Sequence, residues 1–144
     1  MIMSLLLNGP NKQTTGFMIP IPQYPLYSAT ISEYNAEAVG YYLDEANGWS
    51  LKIEELERAY QESLNRCEPR ALCLINPGNP TGQVLSLENI QDIIRWAYEK
   101  KLVILADEVI LLFIKNFVSN FSTVIFYRRY IKIMFMLMAL NSIL

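Results

Sequence analysis

Two short apolar runs, held apart by a polar turn and one amphipathic segment, constrain this chain more than any other feature. Residues 71–75 (Ala-Leu-Cys-Leu-Ile) and 102–106 (Leu-Val-Ile-Leu-Ala) are apolar throughout, as strands are when a parallel sheet buries both their faces. Residues 76–82 between them are rich in Asn, Pro and Gly and read as a turn. Ser86 offers an N-cap, and Leu87, Ile90, Ile94 and Ala97 share one helical face. Lys100 and Lys101 close that helix where cations suit its dipole. Strand 71–75, helix 86–100 and strand 102–106 therefore predict a βαβ unit with parallel strands and a right-handed crossover. Ligands of such sheets sit beyond the carboxyl ends of the strands. The turn at 76–82 and Asp107 are expected on that one edge.

The upstream chain fits the same class. Residues 17–21 read as a strand, with Pro20 placing it at an edge or near an end. Residues 22–27 read as a loop or helix start, 28–34 as a short helix and 39–43 as a strand. Asn47-Gly48 signals a turn. Ser50 is the expected N-cap of a helix carrying Ile53, Leu56, Tyr60 and Leu64, with Pro69 beyond its end. The expected class is α/β, with a mostly parallel sheet and flanking helices.

Composition narrows the chemistry. The chain has no histidine, which removes Ser-His and Cys-His nucleophile pairs and every His-containing zinc site; no metal site is expected. Any proton transfer falls to Asp, Glu, Lys, Tyr or Cys. The net charge of −2 gives no footprint for nucleic acid. Two cysteines, Cys67 and Cys73, make no disulfide framework, and a reducing compartment is the default. The first ten residues lack a basic region and a long apolar run, so no targeting segment is expected.

The turn and its surroundings resemble the fold-type-I pyridoxal-phosphate aminotransferases. Asn76-Pro77-Gly78-Asn79-Pro80-Thr81-Gly82, then a helix, then an apolar strand ending in Asp107-Glu108, matches that family's central signature. Residues 18–29, 41–45 and 75–84 are similar to its alanine-type members. The resemblance covers roughly residues 5–109 and implies a partial large domain of a transferase. It also implies pyridoxal 5'-phosphate as cofactor, amino acids and 2-oxo acids as substrates, a homodimeric parent enzyme, and a cytoplasmic or mitochondrial location.

Three roles follow from the resemblance. Asn79 would hydrogen-bond the cofactor's phenolic oxygen. Asp107 would pair with the pyridine nitrogen, since a carboxylate there keeps the ring protonated and makes it the better electron sink. Tyr24 would stack on the ring. Asn76, Thr81 and Gly82 are expected to be structural, and the Asn79–Pro80 bond is expected to be cis.

The family pattern stops soon after Asp107. The family reads Asp-Glu-x-Tyr, but position 110 is Ile. The Schiff-base lysine is expected some tens of residues later in a Ser-x-x-Lys-like setting. Lys115 and Lys132 lack those neighbours, and neither is assigned a role. The chain alone is therefore expected to be inactive. The alternative is a non-catalytic chain that binds cofactor weakly, pairs with a full-length subunit, or associates with a membrane through its tail.

Charge and composition change at the same place. All 14 acidic residues lie at or before Glu108, with eight of the 12 basic ones. Residues 109–144 carry Lys115, Arg128, Arg129 and Lys132, and no acid, Gly or Pro. The chain thus divides into a partial aminotransferase domain, 1–109, and a hydrophobic basic tail, 110–144, read as unrelated to the family. A span is disfavoured, because the apolar stretch 131–144 is 14 residues long and contains Lys132 and Asn141, against about 20 needed to cross a bilayer.

Overall fold

The computed structural model describes residues 2–7, 13–108, 123–128 and 131–136. Six strands form one sheet, with three helices packed on it. In chain order the elements are β1 (Thr15–Ile21), α1 (Leu26–Glu33), β2 (Glu37–Tyr42), α2 (Ile53–Ser63), β3 (Glu68–Asn76), α3 (Leu87–Glu99), β4 (Val103–Glu108), β5 (Thr123–Arg128) and β6 (Ile131–Met136). A 3-10 turn, Ile2–Leu6, precedes them. The sheet order is β2-β1-β3-β4-β6-β5. The first four strands are mutually parallel, while β6 runs antiparallel to both β4 and β5. Among the described residues, no helix is long and apolar enough to cross a membrane.

Strand alternation divides the core into two layers, because successive side chains leave opposite faces of a sheet. Met18, Leu72, Leu74, Ile104 and Ala106 point to one face, where Leu56 and Ala59 of α2 and Ile93, Trp96 and Ala97 of α3 cover them. Phe17, Ile19, Ala71, Cys73, Ile75 and Leu105 point to the other, under Tyr27 and Ile31 of α1 and Met3 of the 3-10 turn. Both faces of β3 are thus dry, which is why its sequence is a continuous apolar run. Each fully buried Leu, Ile or Phe contributes about 1.5–3 kcal/mol.

The predicted βαβ unit is present. β3 and β4 pair in parallel from Ala71↔Val103 to Asn76↔Glu108, and α3 connects them. Ser86 is its N-cap, its hydroxyl accepting from the Asn89 amide at 3.1 Å.

Two expectations, on Ser50 and Leu64, are corrected, and two, on Pro69 and Pro20, are met in a specific form. Lys52, not Ser50, precedes the first turn of α2, with no side-chain cap. Ser50 is held instead in a bridge with Asp44, whose amide donates to the Ser50 carbonyl at 2.9 Å; left-handed Gly48 (φ 66°) and Trp49 (φ 63°) close that loop. Leu64 ends α2 as its C-cap and is exposed rather than buried. Pro69 lies inside β3, near its start: the ladder to β1 passes from Gly16↔Pro69 to Phe17↔Ala71 and skips Arg70. A strand start beside such an irregularity tolerates a residue with no amide hydrogen. Finally, β1 is flanked on both sides and is no edge strand. Its pairing with β3 runs only to Met18↔Leu72, so Pro20 occupies the strand's end.

Candidate functional site

The carboxyl ends of β1, β3 and β4 lie side by side, and each delivers one of the expected residues. β1 leads through Pro22 and Gln23 to Tyr24. β3 leads into the turn that holds Asn79, and β4 carries Asp107 as its second-last residue.

The turn is built from its own backbone. The Gly78 amide donates to the Gln83 carbonyl at 2.9 Å, and the Gly82 amide to the Gly78 carbonyl at 2.8 Å. Gly82 has φ 71°, a left-handed conformation that glycine adopts without strain. The Asn76 side chain accepts from the Leu85 amide at 3.1 Å, and the Thr81 hydroxyl donates to the Gln83 side chain. Asn76, Thr81 and Gly82 hold the turn's shape, as expected of them. The Asn79–Pro80 bond is cis, as are Asn76–Pro77 and Ile21–Pro22. Asn79 is left exposed at the tip.

Tyr24 and Asn79 are brought together directly, since the Tyr24 amide donates to the Asn79 carbonyl at 3.0 Å. Tyr24 is 59% exposed. Asp107 lies one strand further along, in register with Ile75, and is part-buried. Burial pushes its carboxyl above the usual carboxylate range, and a hydrogen bond from Tyr27 partly offsets that. A shallow cleft beside the turn is lined by Pro22, Tyr41, Leu74, Asn79 and Leu85 among others; neither Tyr24 nor Asp107 is among its walls.

Two residues of this edge escaped the sequence reading. Tyr27 lies within the stretch 22–27 read as a loop or helix start, yet α1 carries it onto the face of the sheet from which Asp107 departs. Its three-residue spacing from Tyr24, across a proline at a helix start, was the available signal. Gln23 has a side-chain oxygen that is buried without a hydrogen-bond partner, and nothing in the sequence marks it.

The sequence pattern of aminotransferase class I and II matches residues 5–139. The chain belongs to that family. It is 57% identical over 108 residues to alanine aminotransferase 1 of Bos taurus, covering 75% of this chain and 22% of that protein. It is 56% identical over 108 residues to alanine aminotransferase 2 of Xenopus laevis, covering 75% and 20%. Among solved structures, an aminotransferase from Escherichia coli superposes with a TM-score of 0.63 at 34% identity, covering 74% of this chain and 24% of that one. Alanine aminotransferase from Pyrococcus furiosus gives 0.62 at 26% identity, covering 75% and 25%. The chain thus spans about a fifth of the length of the curated relatives it matches. Enzymes of this family use pyridoxal phosphate and act on amino and 2-oxo acids.

Proposed function

We propose that this chain forms the ring-binding part of an alanine-type aminotransferase and does not transaminate alone. One observation carries the reading: a part-buried carboxylate, Asp107, stands at the ligand edge of the sheet beside the turn that presents Asn79. The donor set suits pyridoxal phosphate. Asp107 offers an anion for a pyridinium N–H, Asn79 an exposed amide donor for a phenolic oxygen, and Tyr24 an accessible aromatic face.

The bound cofactor would supply an electron sink for the electrons of a substrate carbon–hydrogen bond. This chain's residues do the holding. The Asp107 carboxylate keeps the proton on the ring nitrogen by direct ion pairing. Asn79 steadies the negative charge on the phenolic oxygen. Tyr24 orients the ring and shields one face from water. Moving a proton between substrate and cofactor requires a positioned base, and no lysine of these 144 residues has the family's expected neighbours.

The alanine:2-oxoglutarate assignment is supported by the alanine aminotransferases among the relatives. We further propose that the parent enzyme is a homodimer, that this chain binds a full-length subunit, and that it resides in the cytoplasm or in mitochondria; one relative is named a probable mitochondrial alanine aminotransferase. The boundary at 109/110 is supported by the loss of acids and by the reversal of strand direction at β6. Against it stands the family match, which runs to residue 139.

One observation favours a catalytic second reading. The β4–β6 register sets Lys132 opposite Glu108, one residue beyond Asp107. Lys115 falls outside the described residues. Incubation with pyridoxal phosphate, borohydride reduction and mass spectrometry decides between the readings, alongside a turnover assay with alanine and 2-oxoglutarate. The expected result is no selectively labelled lysine and no pyruvate. Stoichiometric labelling at Lys132 together with turnover would overturn the inactive reading.

A further inference from the structure

We propose that Gln83 is a positioning residue for Asn79, and that position 78 is glycine so that the Gln83 side chain can lie against the turn. This rests on the reading of Asn79 given above. Asn79 is exposed at the tip of the turn, where no packing fixes it, so its place must be set by contacts at the base. The described contacts put that hold on one residue. The Gln83 backbone carbonyl accepts from the Gly78 amide at 2.9 Å. Its side-chain oxygen accepts from the Thr81 hydroxyl. Gln83 therefore grips the chain on both sides of Asn79-Pro80. From across the edge, the Tyr24 amide donates to the Asn79 carbonyl at 3.0 Å. Gln83 is part-buried, and with Gly78, Asn79 and Thr81 it lines the cleft beside the turn.

The two glycines of the turn show why the Gln83 side chain matters. Gly82 is left-handed, with φ 71°, and a Cβ there would meet nothing within 4 Å. Its backbone conformation alone favours glycine. Gly78 is the reverse. It is not left-handed, so its backbone would admit a side chain. A Cβ built on Gly78 would nevertheless collide with the oxygen, carbon and nitrogen of the Gln83 side-chain amide. What position 78 supplies is therefore space for that amide. An alanine at 78 would push the amide off the Thr81 hydroxyl and loosen the tip that carries Asn79. The two positions are thus coupled, and removing the Gln83 side chain removes the need for a glycine at 78.

The experiment is a double-mutant cycle on the full chain, which isolates the coupling of the two positions. One readout is the affinity for pyridoxamine 5'-phosphate, a probe without an aldehyde that would react with surface lysines. The other is the pair of Asn79 side-chain amide signals in a nitrogen-15 spectrum without probe. Gln83→Ala is expected to weaken the probe about fivefold, the usual net worth of one hydrogen bond, and to move the Asn79 signals toward those of free asparagine. Thr81→Val, which leaves Gln83 in place, should do the same, and Thr81→Ser, which keeps the hydroxyl, should not. Gly78→Ala should match Gln83→Ala when made alone and add nothing when made on top of it. Asn79 signals unmoved by both Gln83→Ala and Thr81→Val overturn the positioning role, as does a Gly78→Ala effect that adds in full to that of Gln83→Ala. Asn79→Ala binding the probe as tightly as the unaltered chain overturns instead the cofactor reading of Asn79, and the purpose of Gln83 with it.

Discussion

The two ends of the parallel sheet differ in how they treat their polar groups. At the amino end the chain is closed upon itself. The Glu68 amide donates to the Thr14 carbonyl at 2.8 Å, the Thr15 hydroxyl to the Leu6 carbonyl at 3.2 Å, and the Arg70 guanidinium to the same carbonyl at 3.0 Å. Among the described residues of this end, Glu68 Oε2 is the one side-chain oxygen buried without a partner. At the carboxyl end Tyr24 and Asn79 are exposed, Asp107 is desolvated, and Gln23 Oε1 has no partner. The amino end is finished by packing. The carboxyl end keeps Tyr24 and Asn79 open to solvent beside a desolvated carboxyl, the pattern that the proposed binding role requires.

The largest effect expected from this contrast is at Gly16. A Cβ there would lie 2.6 Å from Cys67 Sγ and 3.2 Å from the Pro69 Cα. Gly16→Val should therefore cost about 2 kcal/mol in urea unfolding, the range of core overpacking. Asn79→Ala, at the exposed tip of the other end, should stay within about 0.5 kcal/mol while removing ring binding. Equal losses from the two would break the comparison. An intermediate effect is expected at Ser86, whose hydroxyl caps α3; Ser86→Ala should cost about 1 kcal/mol, marking which polar groups near the binding edge are structural.

The smallest effects are in pH dependence, and two carboxylates should give opposite signs. Hydrogen bonds from Lys100, then Gln61 and Trp96, hold Glu57 down to about 2 from the usual 4.5. Its contribution is present above the unfolded value and lost as pH falls from there through the folded one. Asp107 is raised, chiefly by burial. Its ionisation therefore opposes folding, with no penalty below its unfolded value and a growing one as pH climbs through the folded value. Urea midpoints across the acid range should show Asp107→Asn gaining on the unaltered chain as pH rises, and Glu57→Gln falling behind. Both shifts should be small, since Glu57 is largely solvent-screened.

Much of this was legible in the sequence because it rests on local patterns. The continuous apolar runs marked β3 and β4, the Ser86 cap marked the start of α3, and the turn's composition placed Asn79 at the ligand edge. What failed depended on tertiary partners. Ser50 has the chemistry of a cap, but its pairing with Asp44 takes it away from α2. Pro69 does lie beyond α2, as its place in the sequence predicts, but only the skipped Arg70 shows how the start of β3 absorbs it. Tyr27 differs from Tyr24 in the sequence only by its place three residues later at a helix start, and the face of the sheet that α1 covers is what separates their positions.

The central claim is that the carboxyl end of this sheet receives a pyridine ring. The most direct measurement is an amide chemical-shift map of the full chain titrated with pyridoxamine 5'-phosphate. Saturable shifts confined to residues 22–27, 76–82 and 105–108, abolished by Asp107→Asn, are the predicted result. Shifts centred on residues 14–16 and 67–70, or shifts at the carboxyl end that survive Asp107→Asn, would contradict it.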